Sequence, residues 1–379
     1  MGVASEHRRI GDDLSPAEYK TLPFHPAGRR MMHKSTSAMT DVLTPIWERV
    51  LQRPSIGVED SFFDLGGDSL LAVELFSEIE RVCGRELAPV TIYCAPTIAS
   101  LAAVLDEPTA PRFPPLLQLK EGTEAPPLFL AHGLGGTAMD FFQLVKYIQT
   151  QRPMYGLQAK GTDGVDEPFD RIEDLAQFYL EAIKRLQPHG PYYLIGYSLG
   201  GLVTLEMAKH LTDHGEKVRL LALLESYPHS RYLSLGQRVR LGTRLATHRA
   251  TTVGRLPIRD ALSYIVRPSE RRLYVSRDGN GNAPSQLPVG ASHTPAMQRA
   301  RESAYKSLMR YRPHYYPGEI KFVRAETVTD FPDDPAAVWS HLVAKIQVET
   351  VPGDHLGILG AHFESLASVI SRFLREVSA

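Results

Sequence analysis

Cysteine is scarce. Only Cys83 and Cys94 occur in 379 residues, so the chain is not built on a disulfide framework, and no metal site is expected. Charge of one sign is lacking too. Forty-two Lys and Arg face 43 Asp and Glu, a net of −1, which gives no whole-chain signal for nucleic acid. No apolar run reaches membrane-spanning length. The opening stretch MGVASEHRRIGDD has no apolar segment, so a secretory signal is not expected. Glu6 breaks a myristoylation pattern. These absences predict a soluble, cytoplasmic protein with neither nucleic acid nor membrane as partner.

What is present is ordinary for a globular protein: 43% hydrophobic and 22% charged residues. The length suits two or three domains. Residues 1–35 are polar without periodicity and read as a mobile leader or linker. Residues 36–107 carry helical spacing: a first helix over 39–51, a second over 69–82 and a last one over 97–105, a small all-α bundle of three or four helices. The proline-rich stretch 108–126 reads as an extended linker. From 127 to 379 short apolar strands alternate with amphipathic helices, the pattern of a mainly parallel sheet with helices on both faces. A long interruption over about 228–312, rich in Gly, Asn, Pro and Ser in its middle, reads as a lid.

Two serines stand out. The first is in YYLIGYSLGGLVTLEMAKHL, where Gly196, Ser198 and Gly200 form G-x-S-x-G between an apolar strand and an amphipathic helix. That context is the one a nucleophilic serine requires. Small neighbours permit the tight turn, and a helix N-terminus favours developing negative charge. A serine nucleophile needs a base and an orienting acid, usually in the order Ser, acid, His on such a sheet. His355, in VPGDHLGIL, follows the last strand and fits the base better than the 13 other histidines. For the acid, Glu225 ends the strand VRLLALLE, 27 residues after Ser198. Asp330, beyond a later strand, is the competitor. Asp354 adjoins the base but should point elsewhere on its tight loop. The oxyanion hole needs backbone N–H donors: one is expected from Leu199, the second from Leu134 in the loop AHGLGG. That loop lacks the Lys-Ser/Thr of a nucleotide site.

The second serine is Ser69 in DLGGDSLLAVELF. Either Asp68 or Ser69 could cap the helix that starts there, which leaves a chemical role for the serine open.

LGGDSL, preceded by VEDSFFDLGG, resembles the phosphopantetheine attachment motif of peptidyl and acyl carrier domains. FLAHGLGG, IGYSLGG, LLESYP, YRPHYYPGEIKFVRAE and VPGDHLGIL together resemble type I thioesterases of nonribosomal peptide and polyketide assembly lines. The resemblance implies an α/β-hydrolase with a helical lid, preceded by a four-helix carrier domain. It implies 4′-phosphopantetheine on Ser69, placed there by a phosphopantetheinyl transferase. It also implies upstream synthetase, adenylation or condensation modules as partners, and an acyl or peptidyl substrate released by hydrolysis or cyclisation through an acyl-Ser198 intermediate. The family's acid position maps onto Glu225, where this chain has Glu in place of the common Asp. Two other functions are compatible with the motifs: acyl transfer to an external alcohol or amine, and a non-catalytic carrier or docking module.

Charge is unevenly spread. Residues 36–110 hold 12 acidic against 4 basic residues, and 228–275 hold 10 basic against 2 acidic. This predicts attraction between the carrier and the lid.

Overall fold

The computed structural model describes residues 34–107, 112–255, 294–327 and 331–378. The expected leader up to residue 33, the middle of the expected lid at 256–293, and Asp330 lie outside the described residues.

The N-terminal helices are α1 (Lys34–Leu51), α2 (Ser69–Cys83), α3 (Thr91–Cys94) and α4 (Ile98–Asp106). Their apolar faces close over one core containing Leu43, Trp47, Phe62, Leu75, Ile79 and Leu101. Trp47 and Phe62 meet edge to face at 5.4 Å, a geometry that suits the ring quadrupoles. Thr97 and Ser100 cap α4 reciprocally: each side-chain oxygen accepts from the other residue's N–H, at 3.1 and 3.0 Å.

Seven strands make one sheet in the order β1-β3-β2-β4-β5-β6-β7. They are β1 (Leu116–Lys120), β2 (Leu128–Ala131), β3 (Met154–Leu157), β4 (Tyr192–Tyr197), β5 (Val218–Leu224), β6 (Tyr316–Ala325) and β7 (Val343–Val351). β1 pairs antiparallel with β3, and every other pairing is parallel. Five residues of the expected linker therefore form an edge strand. LLQLK follows Pro114 and Pro115, which lack the N–H a ladder needs, and β1 starts just beyond them.

The helices that follow strands are α5 (Phe142–Tyr147), α6 (Ile172–Leu186), α7 (Leu199–Asp213), α8 (Leu235–Arg255), α9 (Pro295–Arg310), α10 (Pro335–Trp339) and α11 (Phe363–Ser378). α6 and α7 cover one face of the sheet; α5 and α11 cover the other. Central strands are buried on both sides, which explains the continuous apolar runs of β2 and β4. α10 is short and ends at Trp339, because β7 already begins at Val343. Trp339 is fully buried and donates its indole N–H to the Ser226 carbonyl at 3.2 Å. α8 and α9 are the described parts of the segment expected to be a lid.

The helical unit touches the sheet unit directly. Leu117, Ala138 and Met139 bury themselves with the core of the helical unit. Phe142 packs against Phe63 at 4.7 Å and Tyr93 at 5.8 Å. Glu86 lies within electrostatic reach of Arg299 on α9. These contacts involve β1, the turn at Ala138–Phe141, α5 and α9; residues 256–275 of the basic stretch that the charge pattern singled out lie outside the described residues.

Candidate active site

Ser198 joins β4 to α7 with φ 53° and ψ −116°, a backbone conformation that L-residues rarely adopt. The strained turn survives because its neighbours are small. A Cβ on Gly196 would run into the backbone of Gly200, and one on Gly200 into the carbonyls of Ala131 and His132. The Ser198 N–H continues the ladder to the Leu224 carbonyl at 2.9 Å. Leu199 is buried and begins α7, so its N–H belongs to the first turn, where no intrahelical acceptor exists.

Glu225 sits at the end of β5, next in order to β4, also with positive φ (47°). Its carboxylate is buried. Oε1 accepts a 2.7 Å hydrogen bond from the Ala325 N–H on β6. Oε2 lies 3.5 Å from His355 Nδ1. That separation is an ion-pair contact, somewhat beyond the ~2.7–3.2 Å of an N–H···O bond; Nδ1 makes no hydrogen bond. Such bonds often tighten only when substrate is bound. The extra methylene of Glu over Asp is thus taken up by a carboxylate anchored on one oxygen and aimed with the other.

His355 lies on the loop between β7 and α11. Tyr197, the residue before Ser198, stacks on its imidazole at 5.1 Å and donates its hydroxyl to the His355 carbonyl at 2.7 Å. Asp354 is occupied locally, its Oδ1 accepting from the Gly357 N–H at 2.7 Å.

The loop after β2 runs beside the serine. A Cβ on Gly133 would stand 3.6 Å from that of Ser198. Leu134, the next residue, is half-buried against the core. The buried His132 braces this loop. Its Nδ1 donates to the Gly133 carbonyl at 2.7 Å, and its Nε2 accepts from the Tyr179 hydroxyl at 2.6 Å. Burial pushes the His132 imidazole down to about 4, so it stays neutral. The Gly133 N–H bonds to Asp140, whose carboxyl desolvation pushes up to about 7. The His132–Tyr179 pair and Asp140 were not anticipated from sequence; their partners lie far along the chain or across a turn.

At the other serine, Asp68 Oδ1 accepts from the Leu71 N–H at 2.9 Å. The helix is therefore capped by Asp68, and Ser69 is the first residue of α2. Gly66 turns with φ +95° and has open space where a side chain would stand. A Cβ on Gly67 would enter the Phe62 ring.

A strained serine after the fourth strand, a buried carboxylate after the fifth and a histidine after the last strand define an α/β-hydrolase, here preceded by a helical bundle. Residues 126–254 match the thioesterase domain family and residues 41–105 the phosphopantetheine attachment site. A dimodular nonribosomal peptide synthase of Bacillus subtilis (strain 168) is 37% identical over 239 residues, covering 58% of this chain and 10% of that one. The chain thus spans about a tenth of the length of this relative. A solved four-domain nonribosomal peptide synthetase, bound to AMP and glycine, superimposes with a TM-score of 0.53 at 22% identity over 94% of this chain and 27% of its own. The type II thioesterase BorB of a borrelidin cluster gives a TM-score of 0.50 at 18% identity over 68% of this chain and 97% of its own. The chain carries a phosphopantetheine carrier domain followed by a thioesterase domain. Among the described residues no helix is long and apolar enough to cross a membrane.

Proposed function

We propose that the chain releases an acyl or peptidyl group from its own carrier through an ester on Ser198, as the offloading step of natural-product assembly. The reading divides the chain into a carrier at 36–107, a linker at 108–126 and a thioesterase from 127 onward. When bound at Ser69, phosphopantetheine presents the chain to be released as a thioester. His355 takes the Ser198 hydroxyl proton, and Ser198 Oγ attacks the carbonyl. Glu225 holds the imidazole and stabilises its positive charge. The N–H groups of Leu199 and Leu134 receive the oxyanion. His355 then returns the proton to the departing thiol. In the second half His355 deprotonates water, giving an acid, or the chain's own hydroxyl or amine, giving a ring; the nucleophile attacks the ester carbonyl, the bond to Ser198 Oγ breaks, and His355 returns the proton to Oγ. A phosphopantetheinyl transferase and upstream synthetase modules, such as adenylation and condensation units, are the partners this requires. Free thiols at Cys83 and Cys94 suit a reducing compartment such as the cytoplasm.

The observation that carries this reading is the Glu225–His355 contact, with Tyr197, the residue before the strained Ser198, stacked on the same imidazole. A fluorophosphonate probe tests it: the wild-type chain should be labelled on Ser198, and Ser198→Ala and His355→Ala should not. Wild-type protein that is folded yet inert to the probe contradicts the reading.

A further inference from the structure

One aromatic residue touches the base and has no role in the scheme above. Phe331 packs against the His355 imidazole, with ring centroids 4.5 Å apart and planes tilted by 37°. Together with Tyr197 it flanks the ring. Phe331 is in turn held by two neighbours, and Asp333, two residues on, by two arginines. Tyr227, two residues beyond Glu225, stacks on it at 5.4 Å with planes 15° apart. Arg244 on α8 donates a short hydrogen bond to the Phe331 carbonyl. Arg244 also lies 3.6 Å from the Asp333 carboxylate, while Arg324 on β6 donates to the Asp333 carbonyl at 2.9 Å.

An imidazole 3.5 Å from its carboxylate, with no hydrogen bond at Nδ1, is not fixed by that partner alone. Its ring orientation needs walls, and aromatic faces supply them. An aromatic face also attracts the cation that forms when the base accepts a proton. We infer that Phe331 is a positioning residue for His355 and that Arg244 anchors it, so that α8 is tied to the geometry of the base. This rests on the proposed role of His355.

The test uses the full chain acting on a small soluble thioester. Phe331→Leu keeps an apolar side chain but removes the ring face. It should lower kcat about tenfold to a hundredfold, the range that small misplacements of a reacting group produce, with KM unchanged. Phe331→Tyr should restore most of the rate. In protein labelled on histidine, the His355 ring resonance, identified by its loss in His355→Ala, should lose its aromatic ring-current shift in Phe331→Leu and keep it in Phe331→Tyr. Arg244→Gln should show a smaller loss of kcat. The double variant Arg244→Gln/Phe331→Leu should be no slower than Phe331→Leu, because both act through one contact. A raised KM with unchanged kcat assigns Phe331 to substrate contact and overturns the inference. So do an unmoved resonance and strictly additive losses in the double variant. Should wild-type Ser198 resist the fluorophosphonate probe, the role of His355 fails instead. Labelled wild-type protein with an indifferent Phe331→Leu removes the positioning role only.

Discussion

Glu225 and His355 stand 3.5 Å apart, carboxylate oxygen to Nδ1, while the other carboxylate oxygen is held at 2.7 Å by the Ala325 N–H. One residue is thereby tied to the sheet and aimed at the base. Glu225→Gln would keep the shape and lose the charge, and could present an N–H to Nδ1. It should cut kcat on a soluble thioester by about 10⁴, as loss of the tautomer-setting acid does elsewhere. Glu225→Asp cannot span both partners and should cost less, about tenfold to a hundredfold. Steady-state kinetics on the two variants checks the order.

Asp68 caps α2, and the proposed attachment point of the arm is the next residue, Ser69. Asp68→Ala removes the cap on α2 and should lower carrier stability by about 1 kcal/mol, read by denaturant titration, with loading of the arm still observed. Ser69→Ala should leave stability close to wild type and abolish the mass increase on treatment with coenzyme A and transferase. It should also spare hydrolysis of a soluble thioester.

Asp140 and His132 lie on the same loop region and have opposite pH signatures. Asp140 is pushed up to about 7 by desolvation from its ordinary 3.8. Between those values the folded state keeps a proton that the unfolded chain has released, so stability falls as pH rises. His132 is pushed down to about 4 from 6.5. Between those values the unfolded chain takes up the extra proton, so stability rises with pH. Below about pH 6.5 the two effects oppose each other. Asp140→Asn should expose the His132 slope, with Tm climbing from pH 4 to 6.5, and should melt above wild type beyond pH 7. Melting curves that run parallel for both proteins at every pH would contradict the assignment.

Much of this site was legible in the sequence because its signals are local. The glycines around Ser198 are required by backbone that passes within contact distance, and spacing alone exposes them. β5 ends where its apolar run ends, which puts Glu225 just past the carboxyl end of a central strand. Position after the last strand singled out His355. What escaped was long-range. Tyr197, Phe331 and His355 are scattered along the chain, and only the parallel crossovers bring them together. β1 was hidden behind two prolines, and the contact of Phe142 with Phe63 and Tyr93 depends on how two units meet. The capping choice between Asp68 and Ser69 is set by side-chain reach, which spacing does not report.

The most direct test loads the carrier with a radiolabelled acyl-pantetheine and follows the label by mass spectrometry of peptides at short times. The account requires label on Ser69 first, then on Ser198, then in free product; in Ser198→Ala the label should stay on Ser69. Product formed by Ser198→Ala at the wild-type rate, or label that never visits residue 198, would contradict it.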